Sequence, residues 1–185
     1  MKIIDLEGEL IAAAKSVRQP HLDRLRSLGI SPAVMAGIGR FQTPFGVSGA
    51  ERLSDGYYRP GDGPCHVISP VYVDGQLIDL IAWQTRDPTS WASRTGLSWA
   101  LGEDCLTMRW AWERPVAVHP TPLDWWIAAC DGLCILDWAA PEIRDLGLVE
   151  VIEAEPAIAA RLHRILSTPN RLPKFILNQG NRHAA

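Results

Sequence analysis

Apolar residues recur at helical spacing at the start of the chain. Leu6, Leu10, Ile11, Ala14 and Val17 fall on one stripe, with acids in the first turn where the helix dipole favours them, so a helix is predicted over 5–17. Pro20 opens a second helix through Leu28, and Gly29 ends it. Ser31-Pro32 pairs a capping residue with a first-turn proline, which predicts a third helix over 32–38, stopped near Gly37 or Gly39.

The period then changes. From Arg40 to about Gly102 the chain is dense in Gly, Pro, Tyr, Val and Ile and reads as strands joined by turns. The clearest element is a hairpin over 66–85, with HVISPVYV and QLIDLIAWQT flanking Asp74-Gly75, two residues that accept positive φ. Pro70 cannot donate to a sheet ladder, so its arm is expected at an edge or as a strand beginning there. A second switch follows at Val116. VAVHP reads as a strand, Leu123–Cys130 as a helix after Thr121-Pro122, and LCILDW as a strand after Asp131-Gly132. A short helix at 140–146, a strand LVEVIEA, a helix Glu155–Leu166 and a last strand KFILN complete a β-α-β-α-β-α-β order. The expectation is an α+β fold: N-terminal helices, a central antiparallel or mixed β region, and an alternating C-terminal half. One domain over 1–185 is expected, with 1–114 and 115–185 as its subdomains.

Composition narrows the class. The chain is 47% hydrophobic and 21% charged with a formal charge of −3, values of a folded globular protein rather than a disordered one. No apolar run approaches the roughly 20 residues that span a bilayer, and the start is not a signal peptide, so a cytoplasmic location is expected. The four cysteines, Cys65, Cys105, Cys130 and Cys134, lack zinc-ligand spacing and read as thiols, with Cys130 and Cys134 sharing a helix face or straddling a turn. No metal or cofactor is expected, since neither phosphate-loop nor dinucleotide motif occurs. Charge is uneven: residues 161–185 hold five Lys/Arg and no acid, while 141–160 hold five acids against Arg144. That tail reads as folding back on an acidic body, or as meeting phosphate or an acidic partner.

Tryptophan carries the main functional signal. Of eight, five (Trp83, Trp91, Trp99, Trp110, Trp112) lie between 83 and 112, interleaved with Arg86, Arg94 and Arg109. Such alternation suits a stacking surface for single-stranded nucleic acid, with Trp83, Arg86, Trp91, Arg94 and Trp99 as candidates. Four acids balance the four arginines of 83–114, and tryptophans in strands also fill cores, so core packing is the competing reading. Cys65 and His66 are strand neighbours that point to opposite faces and cannot act on one another. His119, with Asp124 and Asp131, stands at a strand-to-helix junction and is the alternative, a small-molecule enzyme pocket. A third reading is a protein–protein adaptor or homodimer using Trp125 or Trp126, which point about 100° apart on a helix and are hard to bury together.

HVISPVYVDGQLIDLIAWQT, followed by Trp91 and RTGLSWALGEDCL, resembles the core-strand segment of phage and plasmid primases of the bacterial DnaG-like class. LRSLGISPAVMAGIGRF resembles their helical lead-in, and VAVHPTPLDWWIAACDGLCILDW falls where a Toprim βαβ unit would start. The chain departs from that pattern where the metal chemistry lies. Its first strand ends at His119-Pro120 rather than a Glu, no D-x-D occurs, Asp137 stands alone, and no zinc ribbon precedes the lead-in. The resemblance therefore implies a metal-free, non-catalytic, prophage-type accessory protein that binds single-stranded nucleic acid or a replication partner.

Overall fold

A computed structural model describes residues 4–37, 44–106 and 114–167. Three helices lead. α1 (Leu6–Lys15) is capped by Asp5, whose carboxylate accepts from the Gly8 amide at 2.9 Å, and buries Leu10 and Ala13. α2 (Gln19–Ser27) ends at Gly29, which takes a φ of 98°, and α3 (Pro32–Met35) is capped by the Ser31 hydroxyl.

β1 (Gly46–Arg52), β2 (Tyr58–Val73), β3 (Gln76–Gln84) and β4 (Asp87–Ser93) form an antiparallel sheet in that order. Asp74 (φ 50°) and Gly75 (φ 75°) make the tight turn that the pattern predicts. Pro70 sits inside β2 rather than at its start. Pairing to β1 reaches only Ile68, so among the described residues β3 is the sole ladder partner at Pro70 and the missing N–H is tolerated.

A bulge shapes this sheet. Gly49 pairs with Cys65 but Ala50 pairs with Pro60, so residues 61–64 are extra in β2. A Cβ on Gly49 would strike the Gly61 carbonyl, and one on Gly63 the Ala50 carbonyl, so the strands approach this closely only as glycines. Beyond the bulge β2 leaves β3, whose pairing covers Val67–Val73, and the hairpin tip meets β4: Tyr57 bridges Ser93 and the Arg52 guanidinium donates to the Ser90 hydroxyl. The sheet thus curls toward closure, with Ala50, Tyr58, Ile68, Leu80, Ala82 and Ala92 packed inside and α1 laid on them through Leu10 and Ala13.

A second sheet is mixed: β5 (Ala100–Leu101), β6 (Val116–His119), β7 (Leu133–Ile135) and β8 (Ile152–Ala154), ordered β5-β7-β6-β8. β6 is parallel to both β7 and β8, and β5 is antiparallel to β7. α4 (Pro122–Ile127), a 3-10 helix at Pro141–Leu148 and α5 (Pro156–Leu166) connect and cover it. The fold is α+β, as the pattern indicates. β5 comes from the first part of the chain yet pairs with β7 of the second, and one core cluster runs from Val47, Ile81 and Trp83 through Trp125, Trp126 and Cys134. The expected strand KFILN, the basic residues beyond 167, and Trp110, Trp112 and Arg109 lie outside the described residues.

Trp125 and Trp126 are both buried, against the expectation that one is exposed. α4 touches β4 of the first sheet as well as β6 and β7 of the second, so two neighbouring directions both meet protein. The Trp125 indole donates to the Gly132 carbonyl at 2.9 Å, and Trp126 meets Phe45 edge-on with 5.4 Å between centroids. Cys130 and Cys134 straddle a turn, both buried, and burial raises the Cys134 thiol above its usual range.

Candidate functional site

The five residues proposed for stacking divide. Trp83 is wholly buried, its indole donating to Ser69 at 2.8 Å, and Trp99 is buried in the core of the second sheet. Arg94 is engaged in a two-point ion pair with Glu9 (Nε–Oε2 2.7 Å, Nη2–Oε1 2.8 Å) that ties α1 to the sheet. Trp91 and Arg86 remain at the surface, Trp91 half-buried on the edge strand β4 and Arg86 exposed on the β3–β4 turn. One exposed groove of all five is therefore not formed, because period-2 alternation and two-sided covering of β3 direct Trp83 inward.

His119, Asp124 and Asp131 do not converge either. The His119 Nε2 donates to the Asp131 backbone carbonyl at 2.8 Å. Asp124 accepts from the Thr121 hydroxyl and its own amide is capped by that hydroxyl. A recess of about 330 Å³ nearby is lined by Asp131, Gly132, Cys105 and Arg114–Ala117, and by neither His119 nor Asp124.

Trp91 stands instead where two recesses abut. The first, about 270 Å³, is the uncovered end of the curled sheet. Its floor is Ala50, Ala82, Ala92 and Tyr58, and its rim includes His66, Gln84, Arg52, Ser90 and Asp87. Ala82 and Ala92 form a cross-strand pair and Ala50 lies on β1 opposite Pro60, so small side chains stand where sheets usually carry branched ones and leave a depression. The second, about 460 Å³, runs along the other side of β4 between Tyr57, Asp55, Ser93, Gly96, Ser98 and Asp137. Arg52, Trp91 and Ala92 line both.

The hydrogen-bond state of the rim follows from its distances. His66 Nδ1 lies 2.6 Å from the Pro64 carbonyl and so carries the hydrogen; Nε2 keeps its lone pair and accepts from the Gln84 amide at 3.1 Å. Burial first, and then the nearby Arg52 charge, hold the imidazole below its ordinary pKa against the opposing Pro64 bond, which keeps it neutral. Ser90 is occupied by Arg52, and Cys65, the strand neighbour of His66, does not line the recess. The rim can hold a ring and read its edge through an amide, an imidazole and a guanidinium; it sets up no nucleophile–base pair.

The wall of the second recess is held by a group that the pattern marks only faintly. Asp79 is 0% exposed, and its Oδ1 accepts from the amides of Leu80 (2.7 Å), Arg94 (3.1 Å) and Thr95 (2.9 Å), while Oδ2 accepts from the Gly96 amide (3.0 Å) and the Ser93 hydroxyl. Five donors on one buried carboxylate fix the 93–96 turn, and Gly96 (φ 71°) lies where a Cβ would meet the Tyr57 ring. Alternation in QLIDLIAWQ, which puts Asp79 on the side of Ile81 and Trp83, is the sequence signal for this residue. Among the described residues no group of three or more His, Cys, Asp or Glu is gathered to hold a metal, and no helix is long and apolar enough to cross a membrane.

Compared with known proteins, the chain matches no family model, no curated protein and no solved structure.

Proposed function

We propose that this protein is a non-catalytic binder of single-stranded nucleic acid, and that an unpaired base seats in the recess at the open end of the curled sheet. The observation that carries this reading is the recess floored by Ala50, Ala82 and Ala92 and rimmed by Gln84, His66 and Arg52, on the edge strand whose other face carries the partly open Trp91 indole. A planar ring can lie on such a floor with its edge toward amide and guanidinium groups, the usual readers of base edges, and a neighbouring base can stack on the Trp91 indole across the edge strand. The resemblance to primase lead-in and core-strand segments supports the same reading, as an accessory role beside replication proteins.

Charge sets the character of the binding. Arg52 is outnumbered at the two recesses by Asp55, Asp87 and Asp137, and Glu51 is paired with Arg59 at 2.7 Å. Affinity then rests on stacking and base-edge bonds, with one or two phosphate contacts at most. Fluorescence anisotropy of labelled single-stranded octamers at 50 and 200 mM salt tests this. Binding that weakens only about two- to eightfold over that range, with duplex of the same sequence failing to bind, is the expected result. No binding of single strands at either salt ends the reading.

A further inference from the structure

We propose that the recess at the open end of the curled sheet selects adenine, and that His66 sets this choice by fixing which way the Gln84 carboxamide faces. The inference rests on the single-strand reading above and names the base that the recess takes.

His66 and Gln84 stand on the same face of the sheet as the alanine floor. The β2–β3 register pairs Ile68 with Ala82 and Val67 with Trp83, so the next residues along, His66 and Gln84, face each other on the Ala82 side. Both line the recess. The Pro64 carbonyl can only accept, so at 2.6 Å it fixes the His66 hydrogen on Nδ1. Nε2 is then an acceptor, and only the nitrogen end of the Gln84 carboxamide can approach it at 3.1 Å. With both ring nitrogens taken, His66 is a positioning residue that acts through Gln84. The Gln84 oxygen is the end turned from the imidazole and, among the described residues, it has no donor.

One carbonyl oxygen and one remaining N–H place an acceptor beside a donor. Adenine answers both, its 6-amino group donating to the oxygen while N7 accepts from the N–H. A purine with a 6-oxo group sets that oxygen against the Gln84 oxygen, two acceptors with no hydrogen between them. A protonated imidazole would reverse the arrangement. It donates from both nitrogens, so Gln84 would turn its oxygen to Nε2 and its NH2 to the base. The charged side chains that share the recess with His66 are Glu51 and Arg52 of β1 and Asp87 of β4. Glu51 is held by Arg59 and Asp87 by the Thr89 hydroxyl at 2.5 Å. Burial, and then Arg52, oppose a charge on the ring, and burial raises the neighbouring Tyr58 hydroxyl so that it carries none.

The test uses the whole chain and labelled octamers of deoxyadenosine and deoxyinosine, whose rings carry an amino and an oxo group at the 6-position. At pH 7.5 the deoxyadenosine octamer is expected to bind about tenfold tighter. About one pH unit below the His66 midpoint, read from its ring proton resonances, the order is expected to reverse. In the Gln84→Ala variant the two octamers should bind within about twofold of each other at both pH values. Equal, Trp91-dependent binding of both octamers at pH 7.5 overturns the adenine selection and leaves the single-strand reading standing. A preference that is unchanged below the His66 midpoint overturns the positioning role of His66, and one that survives Gln84→Ala overturns the reading of the base by Gln84. Absence of binding by any strand, a thymidine octamer included, removes the reading beneath it.

Discussion

Trp83 and Trp91 stand directly opposite one another on β3 and β4, yet Trp83 is wholly buried while Trp91 is partly open to solvent. β3 is flanked by strands on both sides and β4 is an edge. Two identical residues in one cross-strand pair are thereby given different work, and substitution should separate them. Trp83→Ala removes a buried indole and leaves Ser69 without its donor, and should cost about 3–5 kcal/mol in urea denaturation. Trp91→Ala, which removes half-buried packing and the indole bond to the Leu136 carbonyl, should cost less, about 1–2 kcal/mol, and weaken single-strand binding in the anisotropy assay. Equal losses of stability would contradict the assignment of the two rings.

Asp79 holds a turn rather than a charge partner. Asp79→Ala leaves the amides of Leu80, Arg94, Thr95 and Gly96 without their acceptor and should cost about 3 kcal/mol or more. Asp79→Asn keeps one acceptor oxygen but turns an NH2 toward the Gly96 amide, and should cost about 1–2 kcal/mol. Chemical denaturation measures both. Hydrogen exchange adds the local readout: the 94–96 amides should lose protection in the asparagine variant before the core does.

The Glu9–Arg94 pair joins residues 85 apart in sequence, and its side chains are only 25% and 18% exposed. Glu9→Gln keeps the shape and removes the charge, and a loss of about 1–2 kcal/mol is expected, screened little by salt because the pair is half-buried. Exchange of the α1 amides should accelerate selectively, since this pair supplements the Leu10 and Ala13 contacts that fasten the helix.

His66 is held below its ordinary pKa by burial and by Arg52. The unfolded chain takes up the proton near pH 6.5 while the folded imidazole resists it, so the folded state loses stability as pH falls through that value. Glu103, raised chiefly by its burial, works with the opposite sign and loses stability as pH rises above the usual carboxylate range. The His66→Gln variant should therefore show a flatter thermal-melt profile between pH 7 and 5 than the parent protein. Proton resonances of His66 should titrate with a midpoint below 6.5; a midpoint above it would contradict the neutral, acceptor-bearing ring.

Local punctuation was the legible part of the fold. Gly29, Ser31-Pro32, Asp74-Gly75 and Gly132 each require a particular backbone conformation, and each stands where the pattern puts it. Relations between distant segments were not legible. Burial of both Trp125 and Trp126 depends on α4 meeting two sheets, one of them from earlier in the chain, and nothing within PLDWWI encodes that. Arg94 reads as a free cation beside aromatics because Glu9 lies 85 residues away. The first recess depends on a bulge at residues 61–64 that β2 absorbs without a break, and the pairing partner that reveals it lies on another strand.

That bulge makes chain length, more than side-chain chemistry, the constrained quantity in this stretch. Asp62 is exposed at its crest, beside Gly63, which cannot accept a Cβ without moving the Ala50 backbone of the opposite strand. Deleting a single residue from 61–64 would pull the start of β2 back alongside β3, separate Tyr57 from Ser93, and open the curl into a flat sheet with its interior wetted. Insertions at Asp62 carry no such consequence, because added residues project into solvent. Related sequences should accordingly vary in loop length outward from this point, and none should be shorter here.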